Sequence, residues 1–168
     1  MAAQGTPTAL CFGRHPTIVG TAGNDRLRGT QGPDVIVGLA GNDIIHAAGR
    51  RDIACGGRGV DELHGGGGGD RLRGDRGTDV IDGNDNHLSR YFDRIEGGAG
   101  SDLLRGGLGR DSMVGDSGDD YLFGNRGDDV MGGGPGFDRA FGGRGDDDLC
   151  RAERKNSCVE SFVLRNTN

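Results

Sequence analysis

Between Gly20 and Cys150 an apolar residue recurs every nine positions, always two places after an aspartate. The apolar set is Leu27, Ile36, Ile45, Ala54, Leu63, Leu72, Ile81, Ile95, Leu104, Met113, Leu122, Met131, Ala140 and Leu149. The aspartates are Asp25, Asp34, Asp43, Asp52, Asp61, Asp70, Asp79, Asp93, Asp102, Asp111, Asp120, Asp129, Asp138 and Asp147. The full unit reads Gly-x-x-Gly-x-Asp-x-apolar-x, with clean copies at 20–28, 38–46 and 65–73. Fourteen copies fill the segment, thirteen of nine residues and one of 14. Positions one to six predict a turn, because glycine tolerates φ > 0 and close backbone approach. Positions seven to nine predict a three-residue strand whose middle side chain points opposite to its neighbours. The apolar eighth residue therefore faces inward, and positions seven and nine face outward. A glycine-rich linker would keep no apolar residue two places after each aspartate.

Fourteen such units in one register resemble the RTX family, the hemolysin-type calcium-binding nonapeptide repeats. The resemblance covers about three quarters of the chain. It implies an all-β fold, a parallel β-roll in the form of a two-sheet right-handed β-helix. Two units make one coil, so the repeats give about seven coils, roughly 34 Å of stack at about 4.8 Å per rung. One domain is expected over 1–168, with an N-terminal cap at 1–16, repeats at 17–150 and a C-terminal cap at 151–168. The resemblance also implies Ca2+ between the turns of units n and n+2, held by all fourteen aspartates and by turn carbonyls. Ca2+ is a hard ion that takes six to eight oxygens, and nothing in the turns suits a soft metal. The odd-numbered units keep both glycines and predict about six sites on one edge. On the other edge Ala47 and Arg50 replace the glycines of one unit, and another carries an insertion around 86–92. Those faults leave two sound gaps, among Asp111, Asp129 and Asp147, with up to four weak or empty.

Composition sharpens this reading. Glycine is 37 of 168 residues, the apolar fraction is 32 % and there is no tryptophan. Composition alone would predict disorder. One aliphatic residue per nine offsets little of the entropy lost in ordering so much glycine. The net charge is −6, with the acidic residues concentrated in the turns, where they repel without a counter-ion. The chain is therefore expected to be disordered without Ca2+ and to fold on binding it. Six Ca2+ would reverse the net charge, so anionic polysaccharide or cell wall is the expected partner of the loaded form.

Several function classes fall away. No apolar stretch is long enough to span a membrane. Arginines at positions seven and nine scatter over both sheets, unlike the single stripe of a nucleic-acid binder. No Ser/His/Asp or Cys/His arrangement is recognisable, so no enzyme is expected. His46 and His64 share the position-nine column with Arg28 and Asp82. A solvated ladder is the simpler reading of that pair than a surface metal site.

Four cysteines allow three pairings. On one sheet the outward residues of the first rungs are Thr17/Val19, Val35/Val37 and Ile53/Cys55, an apolar patch. Leu10, Cys11 and Phe12 are expected to fold over it, with Cys11 bonded to Cys55 and Cys150 to Cys158. Buried free thiols are the alternative. Disulfides imply an oxidising, extracytoplasmic location. The N-terminus lacks the basic start and apolar stretch of a signal peptide. Residues 159–164 predict a last strand closing the open end, packed on the outward Tyr121, Phe123 and Phe141. A ligand or self-association surface there is the other reading. The expected function is a secreted calcium-binding repeat protein. The alternatives are a calcium-dependent polysaccharide or cell-wall binding module, and the non-catalytic repeat portion of a secreted toxin or protease.

Overall fold

The computed structural model describes residues 9–83, 91–145 and 149–151. Among them fifteen strands, numbered in chain order, form two sheets and no helix. One sheet has eight strands: β1 (Ile18–Val19), β3 (Val35–Ala40), β5 (Ile53–Arg58), β7 (Arg71–Arg76), β9 (Arg94–Ala99), β11 (Ser112–Ser117), β13 (Val130–Gly132) and β15 (Leu149–Arg151). The other has seven: β2 (Arg26–Arg28), β4 (Ile44–Ala48), β6 (Glu62–Gly66), β8 (Val80–Asp82), β10 (Leu103–Leu108), β12 (Tyr121–Arg126) and β14 (Arg139–Arg144). The chain alternates between sheets at every unit, and each strand pairs in parallel with the strand two units on. The result is a two-sheet parallel β-roll of about seven coils.

Register follows the repeat. Ile36 pairs with Ala54 and Ala54 with Leu72, so eighth-position residues lie on one another. They form one continuous buried column pair from Ile36 to Ala140, with Ile18 and Leu27 packed at its start. The five-residue insertion leaves this register intact, since Leu72 pairs with Ile95. Many strands are longer than positions seven to nine. β7, for example, runs on into positions one to three of the next unit, because backbone pairing continues through Gly57–Asp75 and Arg58–Arg76.

The last rung departs from the expected alignment. Leu149 pairs with Val130 and Cys150 with Met131, so Cys150 takes the register place expected for Leu149. Asp146, Asp147 and Asp148 are consecutive, so sliding by one residue still leaves an aspartate two places before. Periodicity therefore does not pin this rung. Asp147, Cys158, the 151–168 cap beyond Arg151 and most of the 86–92 insertion lie outside the described residues.

The N-terminal segment covers the apolar outer patch. Cys11, Val37 and Cys55 are buried together, with Phe12, Val35 and Ile53 packed around them. Cys11 is disulfide-bonded to Cys55 across a Cα–Cα distance of 5.8 Å, ordinary for a disulfide. The Phe12 ring lies under two guanidiniums, 4.2 Å from Arg71 and 4.8 Å from Arg73. The cystine closes a loop over a sequence separation of 44. Its removal in a Cys11→Ser/Cys55→Ser variant should cost about 2–4 kcal/mol. That loss is read as a lower denaturant midpoint of the folded chain, and an unchanged midpoint would show the cap to be held by packing alone.

Candidate metal centres

The turns build two parallel ladders of carboxylates. The backbone N–H of Asp43 donates to Oδ1 of Asp61 at 2.8 Å, and Asp61 N–H donates to Oδ1 of Asp79 at 2.8 Å. The same bond links Asp25 to Asp43, Asp79 to Asp102 and Asp102 to Asp120 on that edge, and Asp120 N–H reaches Asp138 at 3.0 Å. On the other edge it runs from Asp34 through Asp52, Asp70, Asp93 and Asp111 to Asp129. From Asp34 to Asp138 every sixth-position aspartate is buried, and Asp25 is half-buried.

From Asp43 onward each carboxylate thus spends one oxygen on the backbone of the preceding coil. The second oxygen is different. In Asp43, Asp52, Asp61, Asp70, Asp79, Asp93, Asp102, Asp111, Asp120 and Asp138, Oδ2 is buried with no hydrogen-bond partner. An unpartnered buried carboxylate oxygen is costly, so this pattern calls for a cation or a proton. Burial is accordingly the largest influence on the nine of them from Asp43 to Asp120, and it raises each. It pushes Asp70, Asp79 and Asp120 up to about 7 and Asp93 up to about 8, against the N–H bond from the preceding coil, which pulls each down. Neighbouring ladder carboxylates push in the same direction as burial.

Glycine at position one belongs to the same construction. A Cβ on Gly97 would lie 2.5 Å from Asp102 Oδ2 and 2.6 Å from the carbonyl oxygen of Gly115. At Gly97 the missing side chain leaves room for a carboxylate and a carbonyl oxygen to approach, and in one unit Ala47 takes that place. At position four, a Cβ on Gly77 would run into the Gly59 carbonyl oxygen, and φ is 135°. The donor set is all oxygen, which is the chemistry of Ca2+. Among the described residues no three His, Cys, Asp or Glu side chains converge on one point. A cation in these turns therefore needs backbone carbonyls besides the carboxylates.

A model of the RTX calcium-binding nonapeptide repeat matches residues 19–53, 56–87, 89–122, 96–131, 105–140 and 123–150. The chain belongs to the RTX calcium-binding repeat family. It is a calcium-binding repeat protein on that ground, and the carboxylate ladders are consistent with calcium sites. Curated proteins include no match to the chain.

The two faults expected to weaken one edge leave the RTX ladder unbroken. Ala47 at position one is fully buried and supplies a carbonyl beside Gly29, as the glycines elsewhere do. Across the insertion Asp70 N–H still reaches Asp93 Oδ1 at 2.8 Å. The Tyr91 carbonyl stands against Gly109, where other units present a position-four glycine carbonyl.

Sequence reasoning missed two positions. At position five, Asn24 and Asn42 accept N–H bonds from Asn42 and Val60 of the next coil at 2.8 and 2.9 Å. At position two the backbone is left-handed in most units, including Leu39, Ala48, Asp75, Asp116 and Asn125. The signal was present for the latter, since Gly, Asn and Asp predominate there and tolerate that conformation. The position-nine histidines are stacked, with ring centroids 4.6 Å apart, and His64 Nε2 lies 2.9 Å from Glu62 Oε1. Phe123 and Phe141 stack on the outer face of the same sheet at 4.9 Å.

Proposed function

We propose that the chain is a secreted, non-catalytic protein whose RTX repeats fold when Ca2+ enters the turns. The observation that carries this reading is the row of buried Oδ2 atoms without a protein donor. Folding the chain without an ion brings like charges one rung apart and removes them from water, which opposes folding. A cation that binds only the folded turns contributes its binding free energy to folding. The Cys11–Cys55 disulfide supports an oxidising compartment, outside the cytoplasm. A calcium-poor cytosol would then leave the chain extended, and a calcium-rich exterior would fold it. Family membership speaks for calcium and gives no support to a polysaccharide or cell-wall partner.

The test is far-UV circular dichroism during a calcium titration of the EDTA-treated chain, with Mg2+ as control. Cooperative gain of β signal is expected with Ca2+ and not with Mg2+, which dehydrates reluctantly and demands a tighter octahedron. A full β spectrum in EDTA, unchanged by Ca2+, would remove calcium from the folding reaction.

A further inference from the structure

The two turns that open the roll are built differently from those that follow. From Leu39 to Gly143, position two is left-handed in every described unit, with φ between 70° and 119°. In the first unit of each edge position two is a threonine, Thr21 or Thr30, and neither is left-handed. A β-branched residue resists that conformation. Its hydroxyl does something else. Thr21 donates to Asp25 Oδ2 through its N–H at 2.5 Å and through Oγ1 at 3.0 Å. Thr30 donates to Asp34 Oδ2 through its N–H at 2.6 Å and through Oγ1 at 2.9 Å. Each hydroxyl in turn accepts a backbone N–H, from Gly23 at 3.1 Å and from Gly32 at 3.0 Å.

Oδ2 is the oxygen that stands without a donor in the ten later carboxylates named above, and in Asp25 and Asp34 it has two. The glycine at position four changes with it. Gly23 and Gly32 are not left-handed, and a Cβ there would meet nothing closer than a threonine Oγ1 at 3.8 and 3.6 Å. We infer that Thr21 and Thr30 close the first turn on each edge in place of a cation, making the N-terminal coil a calcium-independent end on which the calcium-dependent coils are laid.

The cap completes that end. The disulfide ties Cys11 to β5, and the buried Cys11, Val37 and Cys55 cluster holds the outer face of β3 and β5. Thr17 adds a further tie, donating to the Val35 carbonyl at 3.1 Å and accepting Val35 N–H at 3.0 Å. In a stacked repeat each unit contacts only its neighbours, so the first coil has no template and is the hardest to form. Here that coil has its carboxylates satisfied by hydroxyls and the outer face of β3 covered. Later coils lack the hydroxyls and require the ion.

This inference rests on the calcium reading above. The experiment is hydrogen exchange with mass spectrometry on the disulfide-intact full chain, in EDTA and in Ca2+. In EDTA the amides of Gly23, Gly32 and β3 should exchange roughly tenfold or more slowly than those of β10 and β12. In Ca2+ all of them should become slow. A Thr21→Gly/Thr30→Gly variant, which installs the residue found at position two of many later units, should lose the EDTA protection of β3 and regain it only with Ca2+. A Thr21→Ser/Thr30→Ser variant keeps the hydroxyls and should keep the protection. Uniform exchange of β3 and β12 in EDTA overturns the inference, as does unchanged EDTA protection in the glycine variant. If Ca2+ slows neither β10 nor β12, the calcium reading itself falls.

Discussion

Gly77→Ala should break the calcium-folded roll in its middle, while Gly23→Ala leaves it nearly unaffected. Both glycines hold position four of their unit, so the repeat pattern alone ranks them equally. Gly77 has φ of 135°, where an alanine costs about 1–2 kcal/mol. Its Cβ would also meet the Gly59 carbonyl oxygen, which is backbone and has nowhere to go. The coils cannot part to make room, because Gly59 N–H donates to the Arg76 carbonyl at 2.8 Å and the rung spacing is set by such bonds. Overpacking of this kind adds about 1–3 kcal/mol. Gly23 is not left-handed, and the nearest atom to an added Cβ is 3.8 Å away. Unfolding free energies from denaturant titration in saturating Ca2+ should therefore differ by about 2–5 kcal/mol between the two variants, read as a lower midpoint for Gly77→Ala. Equal midpoints would mean that the turns relax independently of the stack.

Acid should order the calcium-free chain and weaken calcium binding by the same chain. Burial holds Asp70, Asp79 and Asp120 at about 7 and Asp93 at about 8 in the folded, metal-free roll. An unfolded aspartate titrates at about 3.9. Between those values the folded state binds more protons than the unfolded one, so its stability rises as pH falls. That stabilisation is complete below the unfolded value and is lost as pH climbs through about 7 to 8. A tenfold difference in proton affinity between the folded and unfolded chain corresponds to about 1.4 kcal/mol, and several carboxylates act together. In EDTA, the β signal should grow on going from about pH 8 to about pH 5. With Ca2+ the sign reverses, because protons and cations compete for the same Oδ2 atoms, and the calcium midpoint should rise as pH falls. Circular dichroism across that range with and without Ca2+ measures both arms. A pH-independent spectrum in EDTA would show that the ladder carboxylates are not what prevents metal-free folding.

Much of this architecture could be read without coordinates. The nine-residue spacing of Asp and aliphatic positions is a statement about side-chain direction, and direction is what places Ile36, Ala54 and Leu72 on one another. The outward apolar run of Val35, Val37, Ile53 and Cys55 needed a cover, and Cys11 lies in the segment that supplies it. The insertion before Asp93 was harder. Sequence marked its sites as weakened; the Asp70–Asp93 hydrogen bond of the ladder crosses it, and a Tyr91 carbonyl stands where a glycine carbonyl was expected. Backbone oxygens carry no residue identity, so a pattern of residue types does not reveal which of them fills a place. The final rung shows the opposite limit, since three successive aspartates fit two registers and the pairing of Cys150 with Met131 chose between them.

The sequence by itself determined the period, the inward column, the acidic turns and hence the roll, because these depend on spacing and polarity within one unit. Only the tertiary structure decided how each carboxylate divides its two oxygens. Oδ1 is taken by an N–H from the coil before, 18 or 23 residues away, and that partner exists only once coils stack. Whether Oδ2 is then left bare or closed by a threonine goes with the handedness of one turn residue.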